Sequence, residues 1–596
     1  MSHATSYRQG LQRDAARILK VIADSPDLAT TRTRLASYAT EQQAAATVSA
    51  DDVPFERQAI SRDCARVFQQ IVNERSDRLA GFSVVQVLHD LAHGVPRPDM
   101  EAGFYAEMRH ILRGLEGRSG VFPDARPLDR LRNATGRVAA RARSDALDRI
   151  AHSADHGMDR YPDGLQPEMV RARRARRAHI LEVLGGTRTD WNNWRWQVRH
   201  VVRDPDLLCK LVRLSPDEET AVRQARAVGW PFGITPYYLS LMSATPGTLD
   251  DLAVRAQVLP RIEDIPAMLE RSDDRRETLD FMREGDTSPV DLVTRRYPGI
   301  VILKPFNTCP QICVYCQRNW EIEDAMAPGA FASWEAIDHA IDWIGAHQAI
   351  HEVLVTGGDV LALSDRALAR ILEGLARIDH VDVIRIGTRV PVTVPMRVTP
   401  ALATMLGRLR KPGRREVCIV THVEHASEIT PDFVRSIERL RRQGLSVFNQ
   451  FVFQFFVSRR FEPAKLRMIL RRCGVEPYYS FVPKGKDETR AYRVPIARLL
   501  QEQKEEVRLL PGLRRTDEVV FNVPGLGKNN LRAFQHRDLI SIRPDGSRVY
   551  EFHPWEKMVA PADTWVGDDV PIFEYLERLA TIGENPRDYA SIWYYY

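Results

Sequence analysis

The 596-residue chain is poor in cysteine, with only seven. So few thiols in so long a chain argue against a disulfide-stapled secreted scaffold. No run of eighteen apolar residues occurs, so no membrane-spanning helix is expected. The opening Met-Ser-His-Ala-Thr-Ser-Tyr-Arg lacks the apolar stretch of a signal peptide, and a cytoplasmic location is the expectation. Neither sign of charge dominates, since a net +5 on this length gives no global attraction for nucleic acid. What is present, 44% hydrophobic and 27% charged residues, is the balance of a globular protein. The length exceeds one ordinary core, and two to four domains are expected.

Three of the seven cysteines are gathered in one run, Asn307-Thr-Cys309-Pro-Gln-Ile-Cys313-Val-Tyr-Cys316-Gln-Arg318. Three thiolates on one short loop can hold three irons of a [4Fe–4S] cube and leave the fourth open to a small ligand. A zinc site usually takes four ligands in two pairs, and there is no second C-x2-C to supply them. A cluster is therefore favoured over zinc or inert thiols.

The first 185 residues are rich in Arg and Ala, and 56–74 and 103–115 repeat apolar residues every three or four positions, as amphipathic helices do. Breaks fall at Gly94-Val-Pro-Arg-Pro98 and Gly120-Val-Phe-Pro123. The basic stretch Arg171 to Arg177 lacks interleaved aromatics and reads as a solvated helix face. His89, His93, Glu107 and His110 have the spacing of helical metal ligands, but such pairs are common by chance and read as helix-surface histidines.

From about residue 300 the pattern changes. Short β-rich runs at 301–303, 351–355, 381–386, 416–420 and 446–453 alternate with helical segments such as 365–378 and 430–443. Alternation of this kind implies parallel strands with right-handed crossovers, an α/β fold built as an open or closed barrel. Chemistry in such barrels gathers at the carboxyl ends of the strands, where the cysteine loop and Thr356-Gly357-Gly358-Asp359 both fall. Four segments are expected: a helical N-terminal domain (1–185), a helical lead-in (186–290), a partial barrel (291–495) and a C-terminal segment (496–596).

Several runs together carry a specific resemblance. They are Trp191-Asn-Asn-Trp-Arg-Trp, Gly233-Ile-Thr-Pro-Tyr-Tyr, Arg296-Tyr297-Pro298, the cysteine loop, Thr356 to Asp359, Ile384 to Arg389, Thr421-His422, Asn449-Gln450, Pro477-Tyr478-Tyr479 and Pro524-Gly-Leu-Gly-Lys528. Over roughly 187–555 the chain resembles the lysine 2,3-aminomutase family of radical S-adenosylmethionine (SAM) enzymes, which also use pyridoxal 5′-phosphate (PLP).

The resemblance implies a radical SAM partial barrel and an isomerase that shifts an amino group from C2 to C3. It implies SAM at the open iron, contacted by Thr356, Gly357, Gly358, Asp359, His422 and Gln450. It implies PLP on Lys528, with Arg296, Tyr297 and Tyr478 beside it. Arg318 matches the arginine that pairs the substrate α-carboxylate. Lys484 and Asn522 stand where the lysine enzyme has aspartates for a distal ammonium. A cation and an amide suit a distal carboxylate instead, so the resemblance leans to glutamate 2,3-aminomutase. A one-electron reductant such as flavodoxin or ferredoxin, and a homo-oligomeric state, are implied as well.

The sequence departs from the family at Ile300, where an arginine near the PLP phosphate is usual, at Glu424, which replaces an amide, and in the apolar 451–458. The PLP loop is one glycine short, and no zinc-binding cysteines follow Cys473. A radical SAM enzyme of different outcome, without PLP on Lys528, and a non-catalytic metal-binding scaffold stay open as alternatives.

Overall fold

The computed structural model describes residues 3–48, 55–121, 134–270, 280–483, 487–533, 537–554, 558–559 and 564–596. The chain forms two compact units. One comprises 157–493 and 510–527, and the other 1–156, 494–509 and 528–596. These units do not follow the four expected segments: residues 157–185 fold with the barrel, and 496–596 divides between the two.

The barrel unit is made by repetition of one local programme. Strands β1 (Val293–Thr294), β2 (Ile300–Phe306), β3 (Glu352–Gly357), β4 (Val383–Gly387), β5 (Glu416–Thr421), β6 (Ser446–Val452), β7 (Glu476–Phe481) and β8 (Glu518–Val523) lie in sequence order in one sheet. β1 runs antiparallel to β2, and every pairing from β2 to β8 is parallel. Helices Trp334–Ala346, Asp365–Ala376, Pro400–Arg408 and Pro431–Arg442 fill the crossovers. Each begins behind a Ser or Thr (Ser333, Ser364, Thr399, Thr430) whose hydroxyl accepts from the third backbone amide of the helix. In Asp365–Ala376, Leu368, Ile371, Leu372 and Leu375 are buried at helical spacing.

Alternation along the strands decides where the polar groups go. Val301, Leu303, Val353, Val355, Ile384, Ile386 and Val447 are buried on one face, while Lys304, Glu352, Thr356, Arg385, Gln450 and Tyr478 are half-buried between them. This is a mixed α/β unit with the parallel strands of a partial barrel. β9 (Gly527–Asn530) begins where the chain leaves the unit.

The basic stretch is not wholly the solvated face its composition suggests. Arg171 and Arg174 are exposed, but Arg173 donates to the Tyr237 hydroxyl at 2.8 Å and pairs with Asp432 at 3.1 Å, and Arg176 donates to the Ser240 carbonyl at 2.7 Å. Spacing of three on the helix Pro167–Val183 puts those two on one inward side.

The other unit is largely helical and is completed by a far part of the chain. Helices including Leu28–Val48, Phe55–Ile71 and Ala102–Leu115 are joined by Ile572–Thr581 and by the antiparallel strands β10 (Arg537–Ile542), β11 (Arg548–Phe552) and β12 (Trp565–Asp568). Glu107, fully buried, pairs with Arg548 at 2.6 Å, and Arg548 also donates to the carbonyls of Trp593 and Tyr595. Gly103 packs so closely on the β10–β11 turn that a Cβ there would lie 1.9 Å from the Asp545 carbonyl oxygen. Trp593, Tyr594 and Tyr596 are buried and cap this core, with the Tyr596 hydroxyl 3.2 Å from Cys64 Sγ. His110 is stacked on Trp593, rings 4.5 Å apart, and is not the surface histidine its spacing suggested. His89 bonds to the Thr31 hydroxyl at 2.8 Å. Among the described residues no helix is long and apolar enough to cross a membrane.

Candidate active site

The cysteine loop leaves the end of β2 and is pinned at several points. Thr308 donates to the Asp324 carbonyl at 2.7 Å, Asn307 to the Glu321 carbonyl at 3.1 Å, and the Met326 amide to the Cys309 carbonyl at 3.1 Å. The Ile312 and Val314 amides donate to the carbonyls of Gly233 and Gln257. Val201, Ile312, Ile322 and Ala325 form an apolar cluster against which Cys309 and Cys316 pack. The loop is thus held from within and by the lead-in segment before it.

The three thiols are half-buried and in no disulfide. Burial first, then Asp359 and the other two cysteines, pushes the Cys309 thiol well up. Burial pushes Cys313 up to about 11 against the opposing pull of Arg389. Metal must displace protons from such thiols, which ties loading to pH. Among the described residues no three His, Cys, Asp or Glu side chains converge on one ion. Three thiols that each serve a different iron of a cube need no such convergence, so the donor set fits a cluster.

The Thr356-Gly357-Gly358-Asp359 turn lies against this loop. The Gly358 amide donates to the Phe306 carbonyl at 2.7 Å and the Asp359 amide to the Thr308 carbonyl at 3.0 Å. A Cβ on Gly358 would sit 2.0 Å from the Thr308 carbonyl oxygen, and Gly357 has φ of +108°, so glycine is required at both positions. The Asp359 carboxylate faces the protein: it accepts from the Thr388 hydroxyl at 2.6 Å and the Arg389 amide at 2.8 Å. Its clearest task is to tie the ends of β3 and β4 together.

Arg389 is the centre of a network that sequence reasoning quoted but gave no role. Its Nη1 donates to Cys313 Sγ at 2.7 Å, and its Nη2 pairs with the fully buried Glu428 at 2.7 Å. Glu428 in turn accepts from the Tyr238 hydroxyl at 2.7 Å and the Glu424 amide at 2.8 Å. Tyr315 donates to Gln257 beside it. Glu424 is buried with Oε1 unpartnered; burial, partly offset by Arg389, raises its carboxyl to about 8. His422 is lowered to about 4 by burial and then by Arg389, so its ring is neutral at pH 7. Gln450 hydrogen-bonds His422 through its backbone.

Arg318 lies two residues past the last cysteine, its amide donating to Cys316 Sγ at 3.4 Å. Its guanidinium pairs with Glu284 at 2.8 Å and Glu321 at 3.3 Å, and Lys304 joins the same two carboxylates at 3.3 and 2.7 Å. Lys304, Glu284 and Glu321 carried no motif that the sequence could betray. Arg296 donates to the Met282 carbonyl. Tyr297 is close enough to Tyr479 to help raise its hydroxyl pKa, after burial and Tyr478. Tyr478 and Tyr479 have ring centroids 4.1 Å apart, and Tyr478 accepts from Arg385, itself paired with Glu352. Asn522, on β8, is buried with Oδ1 unpartnered. Lys484 lies outside the described residues. Lys528 is half-buried on β9, in the other unit.

A parallel partial barrel with three thiols and a Gly-Gly turn at its strand ends defines a radical SAM enzyme, and the Radical SAM superfamily matches residues 303–453. That class carries a [4Fe–4S] cluster and uses SAM. The chain is 44% identical to an uncharacterized KamA family protein of Methanocaldococcus jannaschii, over 89% of this chain and 88% of that one. It is 35% identical to the glutamate 2,3-aminomutase of Clostridioides difficile, over 54% and 72%, and 34% identical to the L-lysine 2,3-aminomutase of Clostridium subterminale, over 52% and 70%. The chain belongs to the KamA family, and with it to the radical SAM isomerases of the aminomutase kind. The archaeal match is wide enough to take in most of the first 185 residues, which the aminomutase resemblance leaves out.

Proposed function

We propose that this enzyme is a 2,3-aminomutase that moves the amino group of an α-amino acid, glutamate in first place, from C2 to C3 to give the β-amino acid. The position of Arg318 carries the reading: a planar cation suited to a carboxylate, joined through its own amide to the Cys316 sulfur. A carboxylate bound there stands next to whatever the cysteine loop holds. In this reading Cys309, Cys313 and Cys316 ligate the cluster, and Thr356, Gly357, Gly358, Asp359, His422 and Gln450 receive SAM. Cluster and SAM supply a carbon radical able to take hydrogen from an unactivated C–H bond. Arg318 holds the amino acid by its α-carboxylate and so fixes its orientation. His422, held neutral, offers hydrogen bonds without adding charge beside the cationic sulfonium.

Lys528, Arg296, Tyr297 and Tyr478 are the residues that would hold PLP, which supplies a conjugated system across which nitrogen can migrate. Two observations suit that group. Lys528 follows Gly527, at φ +75° and without a Cβ, which leaves a flat ring room at the backbone. Tyr297 lies near the paired rings of Tyr478 and Tyr479. Glutamate is preferred to lysine because a cation at Lys484 opposes a distal ammonium and suits a distal carboxylate, with Asn522 as the second polar residue of that end. A flavodoxin or ferredoxin delivers the electron, and the working form is a homo-oligomer.

The test is anaerobic turnover with glutamate and lysine separately, scored for β-isomers by chromatography and mass spectrometry, together with the visible spectrum of Lys528→Ala. We expect β-glutamate, and a PLP band that the variant loses. An unchanged PLP band in the variant would sink the lysine assignment, and β-lysine without β-glutamate would sink the substrate.

A further inference from the structure

We propose that Arg389 sets the reduction potential of the iron–sulfur cluster by donating from Nη1 to the Cys313 thiolate. The contact is 2.7 Å and is made by a side chain only 8% exposed. A hydrogen bond and a positive charge on a ligand sulfur stabilise the extra electron of the reduced cluster, and so raise its potential.

What distinguishes this arginine from a passing contact is how firmly it is held. Glu428, wholly buried, takes Nη2 at 2.7 Å and is itself fixed by the Tyr238 hydroxyl and the Glu424 amide. The Arg389 guanidinium also lies over the Tyr238 ring, 5.6 Å from its centroid. At the other end of the residue, the Arg389 backbone amide is bound by the Asp359 carboxylate at 2.8 Å. Side chain and backbone are therefore both clamped, and the free edge of the fork is aimed at the sulfur. Glu428 takes the far edge of the fork, and burial pushes the carboxyl of Glu424, the other acid nearby, up from its ordinary range. What reaches Cys313 is therefore the near N–H of a guanidinium held at 2.7 Å, a donor fixed in place by its ion pair.

On the function proposed above, the cluster would take one electron from a low-potential one-electron donor, with no proton exchanged. Arg389 is a positioning residue for that electron, acting through a ligand sulfur. Its test is the midpoint potential of the reconstituted full-length protein, titrated with dithionite and followed by electron paramagnetic resonance. In Arg389→Gln we expect the reduced-to-oxidised ratio at fixed applied potential to fall about tenfold, which is a 59 mV drop for a one-electron couple. Arg389→Lys keeps the charge but loses the fork, and a smaller drop in the same direction is expected. Iron and sulfide counts establish that each variant carries a full cluster. Unchanged potentials in cluster-loaded variants would overturn the proposal. So would loss of the cluster from both variants in otherwise folded protein, because Arg389 would then serve assembly of the loop.

Discussion

Two buried arginine–glutamate pairs, one in each unit, put the same chemistry to different use. In the helical unit Glu107 and Arg548 meet at 2.6 Å, and the remaining donors of Arg548 go to backbone carbonyls of Trp593 and Tyr595. In the barrel unit Glu428 and Arg389 meet at 2.7 Å, and the remaining edge of Arg389 goes to a cysteine sulfur. A buried ion pair is weak evidence of net stabilisation, since desolvation offsets much of the attraction, but losing one partner is costly. What the arginine does with its spare donors therefore separates the two. Arg548 closes a core on distant chain, whereas Arg389 presents charge to a site.

Four experiments would break or sharpen that contrast. Cys313→Ser should cut iron in the reconstituted protein to a small fraction of the parent value while the far-ultraviolet dichroism stays the same, and retained iron would remove the sulfur from the site. Glu107→Gln should destabilise the helical unit by about 3–5 kcal/mol, because Arg548 is left buried and unpaired. Urea unfolding monitored through hydrogen exchange of Ala102–Leu115 measures this, and the iron content of folded protein should not change. Gly103→Ala, with no room beside the Asp545 carbonyl, should cost that unit roughly 1–3 kcal/mol by the same assay. The smallest effect is on acid sensitivity. His110 is lowered to about 3 by burial and neighbouring arginines, whereas an unfolded imidazole takes its proton near 6.5. Between those values the unfolded chain binds more protons, so stability falls as pH drops from about 6.5 toward 3. His110→Phe, which keeps the stack on Trp593, should flatten the pH dependence of the melting temperature in that window. An identical slope would exonerate the histidine.

The parts that could be read from sequence are those in which neighbours along the chain do the work. Cys309, Cys313 and Cys316 announced a cluster by spacing alone. The strand–helix alternation was visible because alternating burial and Ser or Thr caps are local. Gly357 and Gly358 were legible as a backbone device, and the structure supplies the reason in the Thr308 carbonyl. The Arg389 network was hidden because Gln257, Cys313, Arg389 and Glu428 are far apart in sequence, and only the ordered sheet brings them together. Lys304 and Glu284 around Arg318 were hidden for the same reason. The membership of 157–185 in the barrel unit could not be seen either, since Arg173 and Arg176 look like any solvated arginines until Tyr237 and Ser240 are placed beside them.

The order of the strands has a consequence for how the protein comes into being. From β2 to β8 each strand pairs with the one just made, so during synthesis the parallel part of the sheet can form in step with the chain, its last strand present once Val523 has emerged. The helical unit, although its first helices are made at the outset, waits for β10, β11 and β12. Until then Ala102–Leu115 carries Glu107 without Arg548, a carboxylate in search of its counterion. The residues made first are thus the last to find their partners.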